Sequence, residues 1–283
     1  MGFRIITDSA SDIPQETAAK WGVTVLPIHT MFGNEEYLDG VTLKPRQFFE
    51  KLVETGEVPR TSQITPFEFG QEFEKAVGAG EGVLCITMSS GVSGTFQSAC
   101  TAGIIYGDRV IVIDSRQFCI SLYVLVEYAC RCRDRGMTLQ ETAAAIEKAK
   151  ERVHVISVFA TLEYLKLGGR LSAAAAFAGG LLSIKPVITI TEGVVDVIGR
   201  ARGSKKANNM LVEFIKKVGG IDYQMPCCLG FTGFSDEVLT KYVEDNAAVY
   251  KEAIRDLPVV PVGATVGTYA GPGAVALAFF NNV

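Results

Sequence analysis

The sequence predicts an α/β protein of two domains, an expectation carried by three observations. Short apolar runs alternate with longer amphipathic segments along most of the 283 residues. Helix starts are spelled out by capping boxes at Thr65-Pro66-Phe67-Glu68 and Thr138-Leu139-Gln140-Glu141. Hydrophobic residues make up 48% of the chain and charged residues 20%, enough apolar surface for a substantial core. The length suits two domains, and the change of character near residue 160 divides them as 1–158 and 159–283.

The elements follow in order. Arg4–Thr7 reads as a first strand, and Asp12 beyond it is expected to cap a helix with Pro14 in its first turn. Val23–Ile28 is a second strand, followed by a loop around Gly33 to Gly40 and a short helix over 45–54. The helix opened at Thr65 runs to about Val77. Val83–Met88 is a buried strand that leads through Ser89-Ser90-Gly91-Val92-Ser93-Gly94-Thr95 into a helix from Phe96. Arg109–Asp114 is a strand, Phe118–Arg135 a long helix, and Val153–Phe159 a strand after the helix opened at Thr138. Glu163–Leu167 makes a helical turn stopped by Gly168-Gly169, ahead of an alanine-rich helix (Ala173–Ala176, Ala178–Gly180). Pro186–Ile190 and Val194–Ile198 flank Thr191-Glu192-Gly193 as a hairpin. Helices near 203–217 and 236–255 surround a strand at Leu229–Thr232, and Val259–Val266 is strand-like before Gly271-Pro272-Gly273.

Composition excludes several classes. A net charge of −4, from 27 basic and 31 acidic residues, argues against a nucleic-acid partner. The apolar run within Met1–Asp8 is too short for a signal peptide, and the uncharged stretch from Leu171 to Ile184 is too short to span a bilayer; a cytoplasmic protein is expected. Seven cysteines without a C-x-x-C pair read as reduced, mostly buried thiols. His29 and His154 lack ligand spacing, so neither a metal nor a cofactor is expected.

Chemistry concentrates in two hydroxyl-rich loops. The loop Ser89–Thr95 joins a strand to a helix, so small residues, hydroxyls and helix N–H groups would face an anion there. It lacks both the phosphate-loop lysine and the G-x-G-x-x-G spacing, and taken alone it equally describes a tight turn with a serine cap. Arg60-Thr61-Ser62-Gln63 is the second such loop, and ligands of α/β proteins collect on this rim. Asp8 and Asp12 fall in a strand-to-helix connection and read as turn and capping residues. Arg200, Arg202, Lys205 and Lys206 form a basic cluster of the kind usually solvated. Arg170, between Gly168-Gly169 and a long apolar stretch, is placed to neutralise an anion at the mouth of an apolar cavity.

Together the motifs resemble the DegV family of bacterial fatty-acid-binding proteins, including the FakB-type subunits of fatty acid kinase. The likeness rests on Thr7-Asp8-Ser9 with Asp12, Thr61-Ser62-Gln63 with Pro66, Ser89-Ser90 with Ser93-Gly94-Thr95, and Asp114-Ser115. It continues through Leu162-Glu163-Tyr164-Leu165-Lys166 with Gly168-Gly169-Arg170, Lys185-Pro186, Arg200 with Arg202, Lys205-Lys206-Ala207 and Gly271-Pro272-Gly273. The resemblance implies an N-terminal domain with a mostly parallel sheet flanked by helices and a C-terminal mixed-sheet α/β domain, with a fatty acid of about C14–C18 between them. It further implies a carrier without catalytic activity, which presents the acyl carboxylate to an ATP-dependent fatty acid kinase catalytic subunit. The acyl phosphate then passes toward phospholipid synthesis, with transient membrane contact. Carried over, Thr61 and Ser93 would hold the head group, with Ser62, Ser90, Gly94, Thr95, Arg170 and Tyr269 around it, and Arg200, Arg202 and Lys205 would face the partner. Tyr269 stands where the family commonly has a histidine, and a phenol is no proton acceptor near neutral pH. The alternative is a small-molecule enzyme using Ser93 or Thr61 as nucleophile or phosphate ligand, against which stands the lack of a basic partner.

Overall fold

The computed structural model describes residues 2–171, 184–245 and 257–282. The alanine-rich helix expected over 173–180 and the last turns of the helix expected to reach 255 lie outside them. The first half is built on β1 (Phe3–Asp8), α1 (Gln15–Trp21), β2 (Val23–Leu26), β3 (His29–Phe32), β4 (Glu35–Leu38), α2 (Pro45–Thr55), β5 (Arg60–Ser62), α3 (Pro66–Gly78), β6 (Gly82–Thr87), α4 (Thr95–Gly103), β7 (Val110–Asp114), α5 (Ile120–Asp134) and α6 (Leu139–Ala149). The second half adds β8 (Val153–Val158), α7 (Glu163–Leu167), β9 (Ile184–Thr191), β10 (Val194–Arg202), α8 (Ser204–Lys217), β11 (Cys228–Phe231), α9 (Glu237–Asp245), β12 (Val259–Pro261), α10 (Ala264–Ala270) and β13 (Val275–Phe280).

The first sheet is wholly parallel, in the order β2-β1-β6-β7. All six residues of β6 are buried, the signature of a parallel strand covered on both faces. α3 with α4, and α5 with α6, pack as pairs onto this sheet. The capping boxes form as the sequence predicts: Thr65 Oγ1 accepts from the Glu68 N–H and Thr138 Oγ1 from that of Glu141, and each glutamate reaches back to its cap.

Three expectations need correction. The segment around Gly33 is no loop: β3 and β4 form a hairpin there, joined by β5 into a small antiparallel sheet in the order β4-β3-β5. Asp12 does not cap α1. It sits at a left-handed φ of 54° after a short 3₁₀ turn, and its carboxylate accepts the distant Gly263 N–H instead. Val266 lies in α10 rather than in a strand, because β12 stops at Pro261.

The second sheet is mixed, in the order β10-β9-β8-β13-β11-β12, with only the β11–β12 pair parallel. A division of the chain after residue 158 separates β8 from both its neighbours, β9 and β13. One face of this sheet packs against α8 and α9 through Ile156, Val187, Leu211, Leu239 and Leu277. The other face looks toward the first half.

Two sets of hydrogen bonds are among the contacts that join the halves. The tip of the β9–β10 hairpin docks on the β6–α4 loop, where the Ser89 hydroxyl donates to Gly193 O at 2.7 Å. Opposite it, Asp39 accepts the N–H groups of Ala264 (2.8 Å) and Thr265 (3.1 Å), and Asp12 that of Gly263 (2.7 Å). Acidic groups at a helix N-terminus are electrostatically favoured, so α10 is held from the side its dipole prefers.

Candidate ligand cavity

Between the two sheets lies a cavity of about 270 Å³. Its lining divides by chemistry. Thr61, Ser62, Gln63, Ser93, Gly94, Arg170 and Tyr269 supply polar groups, whereas Met88, Val92, Phe118, Val155, Phe159, Ile188, Ile190, Val195 and Ala276 supply an apolar wall. A concave, mostly apolar site with a few convergent polar groups is the usual form of a small-molecule site.

The polar groups are brought together by particular contacts. Gly94 lines the cavity at the N-terminus of α4, so the positive end of the helix dipole lies at this part of it. Any side chain at Gly94 would collide with the Gln63 amide, so glycine here lets the β5–α3 and β6–α4 loops touch. Gln63 Nε2 also donates to Ser98 Oγ at 3.1 Å on α4. The Ser93 and Thr95 hydroxyls are 2.9 Å apart. In the same wall, the Thr61 and Tyr269 hydroxyls are hydrogen-bonded at 2.7 Å.

Arg170 closes this group from outside. Its guanidinium stacks 5.0 Å from the centre of the Tyr269 ring, donates to Gly168 O at 2.8 Å and reaches Val92 O at 3.4 Å. It therefore both caps the turn after α7 and bridges the two halves beside the cavity. Gly168 makes this possible, since a Cβ there would run into the Tyr269 ring.

Not every expected residue reaches the cavity. Ser90 points outward, its hydroxyl and N–H both held by the Asp114 carboxylate (2.5 and 3.1 Å). Thr95 is fully buried behind Ser93 and lies outside the lining. Arg200, Arg202 and Lys205 are exposed and also lie outside it. The β10 bulge between Val197 and Gly199 shifts the alternation, so Arg200 and Arg202 pair with Pro186 and Ile184 on the same face as Ile188. The arginines thus extend the cavity-bearing face toward the sheet edge.

The wall also has members that sequence reasoning missed. Cys119, Thr265, Thr232, Thr189 and Ser157 line it, along with the apolar strand residues. Cys119 opens α5 at φ 61°, and burial beside Asp12 pushes its thiol up, away from the reactive thiolate. Behind it, Asp8, Asp12 and Asp39 are buried with no basic partner among the described residues, and burial raises all three carboxyls. Asp8 is pushed up to about 7, although N–H groups of Met88 and Ala10 oppose the shift.

Neither histidine belongs to the cavity. His29 is gripped by Glu36 and Glu68 at 2.6 and 2.8 Å, and His154 packs against Phe214 and Phe279. Among the described residues no cluster of three or more histidine, cysteine or acidic side chains is placed to hold a metal ion. Among them, too, no helix is long and apolar enough to cross a membrane. All seven cysteines are free thiols.

Comparison with known proteins agrees with this fold. The model of a protein family, described as "Uncharacterised protein, DegV family", matches residues 2–282. A DegV domain-containing protein of Caldanaerobacter subterraneus subsp. tengcongensis is 34% identical over 276 residues, 97% of each chain. Among solved structures, a DegV family protein from Thermus thermophilus, described for its fatty acid binding, superposes with a TM-score of 0.85 at 30% identity over 100% of both chains. DegV of Bacillus subtilis, described as a fatty acid binding protein, gives 0.84 at 27% identity, again over 100% of both.

Proposed function

This chain belongs to the DegV family, and we propose that it is a carrier that binds a long-chain fatty acid, of about C14–C18, between its two domains. One observation carries the reading: hydroxyls and a helix N-terminus gather at one part of a cavity whose remaining wall is apolar. A carboxylate satisfies the first part, through charge-assisted hydrogen bonds from Thr61, Ser93 or Tyr269. A hydrocarbon tail satisfies the second, at roughly 0.8 kcal/mol per buried methylene. The fatty-acid binding described for the Thermus thermophilus and Bacillus subtilis proteins supports the same assignment.

The carrier role extends to a kinase partner. In this reading a cytoplasmic ATP-dependent kinase phosphorylates the bound carboxylate, and the acyl phosphate goes on toward phospholipid synthesis. Two approaching anions require positive charge nearby, and Arg170 at the cavity with Arg200, Arg202 and Lys205 on exposed surface are suited to supply it. The protein itself performs no chemistry: both histidines are engaged elsewhere, so Ser93 and Thr61 have no imidazole base.

Protein purified without added ligand and extracted under denaturing conditions should release a C14–C18 acid detectable by mass spectrometry. Ligand-free protein that also refuses such acids on titration overturns the proposal.

A further inference from the structure

Most polar side chains in the apolar part of the cavity already have protein partners. Thr189 Oγ1 donates to Val155 O at 2.7 Å, and Thr232 Oγ1 accepts the Ala274 N–H at 2.8 Å. Thr265 Oγ1 donates to Asp39 at 2.5 Å. Ser157 differs. It is 8% exposed and lines the cavity, yet its hydroxyl has no hydrogen-bond partner among the described residues.

The register explains where that hydroxyl sits. Along β8, Ile156 and Val158 join the core beneath the sheet, so Ser157 points the opposite way, into the cavity. Across the sheet Ser157 stands between Ile188 on β9 and Ala276 on β13, and Ala276 pairs in turn with Gly230 on β11. Serine and alanine on adjacent strands keep the floor low, the Ile120 side chain fills the space over Gly230, and the Ser157 hydroxyl stands unpaired in the floor between Ala276 and Ile188. The hydroxyl faces the cavity space, so a ligand that fills this space leaves it without a partner unless the ligand brings one, and nothing in packing requires oxygen at this position.

We propose that Ser157 is a second polar anchor, selecting fatty acids that carry a hydroxyl or keto oxygen along the chain. This inference rests on the fatty-acid reading of the cavity and adds to it a preference within that class. A saturated chain leaves the Ser157 hydroxyl stranded, whereas an oxygenated chain pairs with it. Without the serine, the ligand's own oxygen is stranded instead, and sites that lose such a partner discriminate strongly.

The test is competition binding to full-length, delipidated protein, with stearate and the 9-, 10- and 12-hydroxystearates as probes. For at least one isomer, S157A should shift the affinity ratio roughly tenfold toward stearate, while stearate binding itself stays within about threefold. S157T, which keeps the hydroxyl, should retain the wild-type ratio. A ratio unchanged by S157A for every isomer overturns the proposal, as does wild-type rejection of every hydroxystearate while stearate binds. Failure of stearate and all the hydroxystearates to bind wild type overturns the fatty-acid reading, and this inference with it.

Discussion

The Thr61 and Tyr269 hydroxyls lie 2.7 Å apart in the cavity wall, although 208 residues separate them in sequence. One belongs to the small antiparallel sheet and the other to α10, so the bond ties two distant segments together at the polar part of the site. Removing either oxygen therefore removes both a wall contact and a donor for a carboxylate. Y269F and T61V should each weaken palmitate binding by about tenfold, the value of one charge-assisted hydrogen bond. Because both act through one shared bond, titration calorimetry should find the double variant weaker by less than the product. Fully multiplicative losses would separate the two groups.

Ser93 precedes the N-terminus of α4, and among the described residues its hydroxyl hydrogen-bonds only to Thr95, whose hydroxyl it meets and whose N–H it accepts at 3.3 Å. S93A should leave the melting temperature close to wild type and lower fatty-acid affinity by about tenfold or more. Unaltered affinity in S93A, T61V and their combination would place the carboxylate elsewhere.

Gly168 and Gly169 separate two kinds of glycine requirement. Gly168 has an ordinary φ of −76°, but a Cβ there would meet the Tyr269 ring and come within 3.2 Å of Tyr164 O. G168A should destabilise by about 1–3 kcal/mol through overpacking and also weaken ligand binding, since the displaced ring carries the phenol. Gly169, at φ 68° with open space around it, should lose some stability on mutation to alanine while binding the ligand as before. Thermal melts paired with fatty-acid titrations of both variants distinguish the two.

On the proposed carrier reading, Arg170 and Arg202 serve hand-off to a kinase rather than storage. Hydroxyls and helix N–H groups can hold a carboxylate without them, so R170A/R202A should bind fatty acid within severalfold of wild type. Phosphorylation of the bound acid by the cognate kinase should fall strongly, because neighbouring positive charge is lost where two anions meet. A folded, lipid-binding double variant phosphorylated at the wild-type rate would remove these side chains from that role.

His29 gives a pH signature. Burial opposes its charge, but hydrogen bonds to Glu68 and Glu36 outweigh this and raise its pKa above the ordinary 6.5. A histidine raised in the folded state contributes stability fully below about 6.5, and loses it as pH rises through the higher folded value. Asp8, raised to about 7 by burial, has the same sign but acts at lower pH, between the ordinary aspartate value and about 7. Comparing melting temperatures of wild type and H29Q from pH 6 to 9 isolates the histidine: the wild-type advantage should shrink as pH rises. A constant difference across that range contradicts it.

Local signals made much of this architecture legible. Thr65 and Thr138 announced their helices through side-chain oxygens that serve neighbouring N–H groups, and Thr191-Glu192-Gly193 between two apolar runs announced a hairpin turn, where Glu192 and Gly193 take positive φ. The losses were non-local. Glu35 and Glu36 put two charges in sequence on an exposed edge strand, which hides the alternation that marks a strand. Val275–Phe280 is buried along its whole length, so it shows no period of two. Asp12 carried a good capping pattern, but its partner proved to be Gly263, a pairing no local rule contains. In the cavity, the hydroxyl loops stood out, whereas Val155, Ser157, Ile188 and Ala276 look like any strand residues until the register lines them up.

The position of β13 orders the events of folding. It is the last described strand in the chain, yet it lies in the middle of the second sheet, between β8 and β11. Until residues 275–280 have left the ribosome, β8 with its hairpin and β11 with β12 are two fragments with unpaired inner edges. Ala276, part of the cavity floor, arrives with that strand. A nascent chain can therefore complete the parallel sheet and its helices early, but it has no enclosed cavity until β13 has joined β8 and β11.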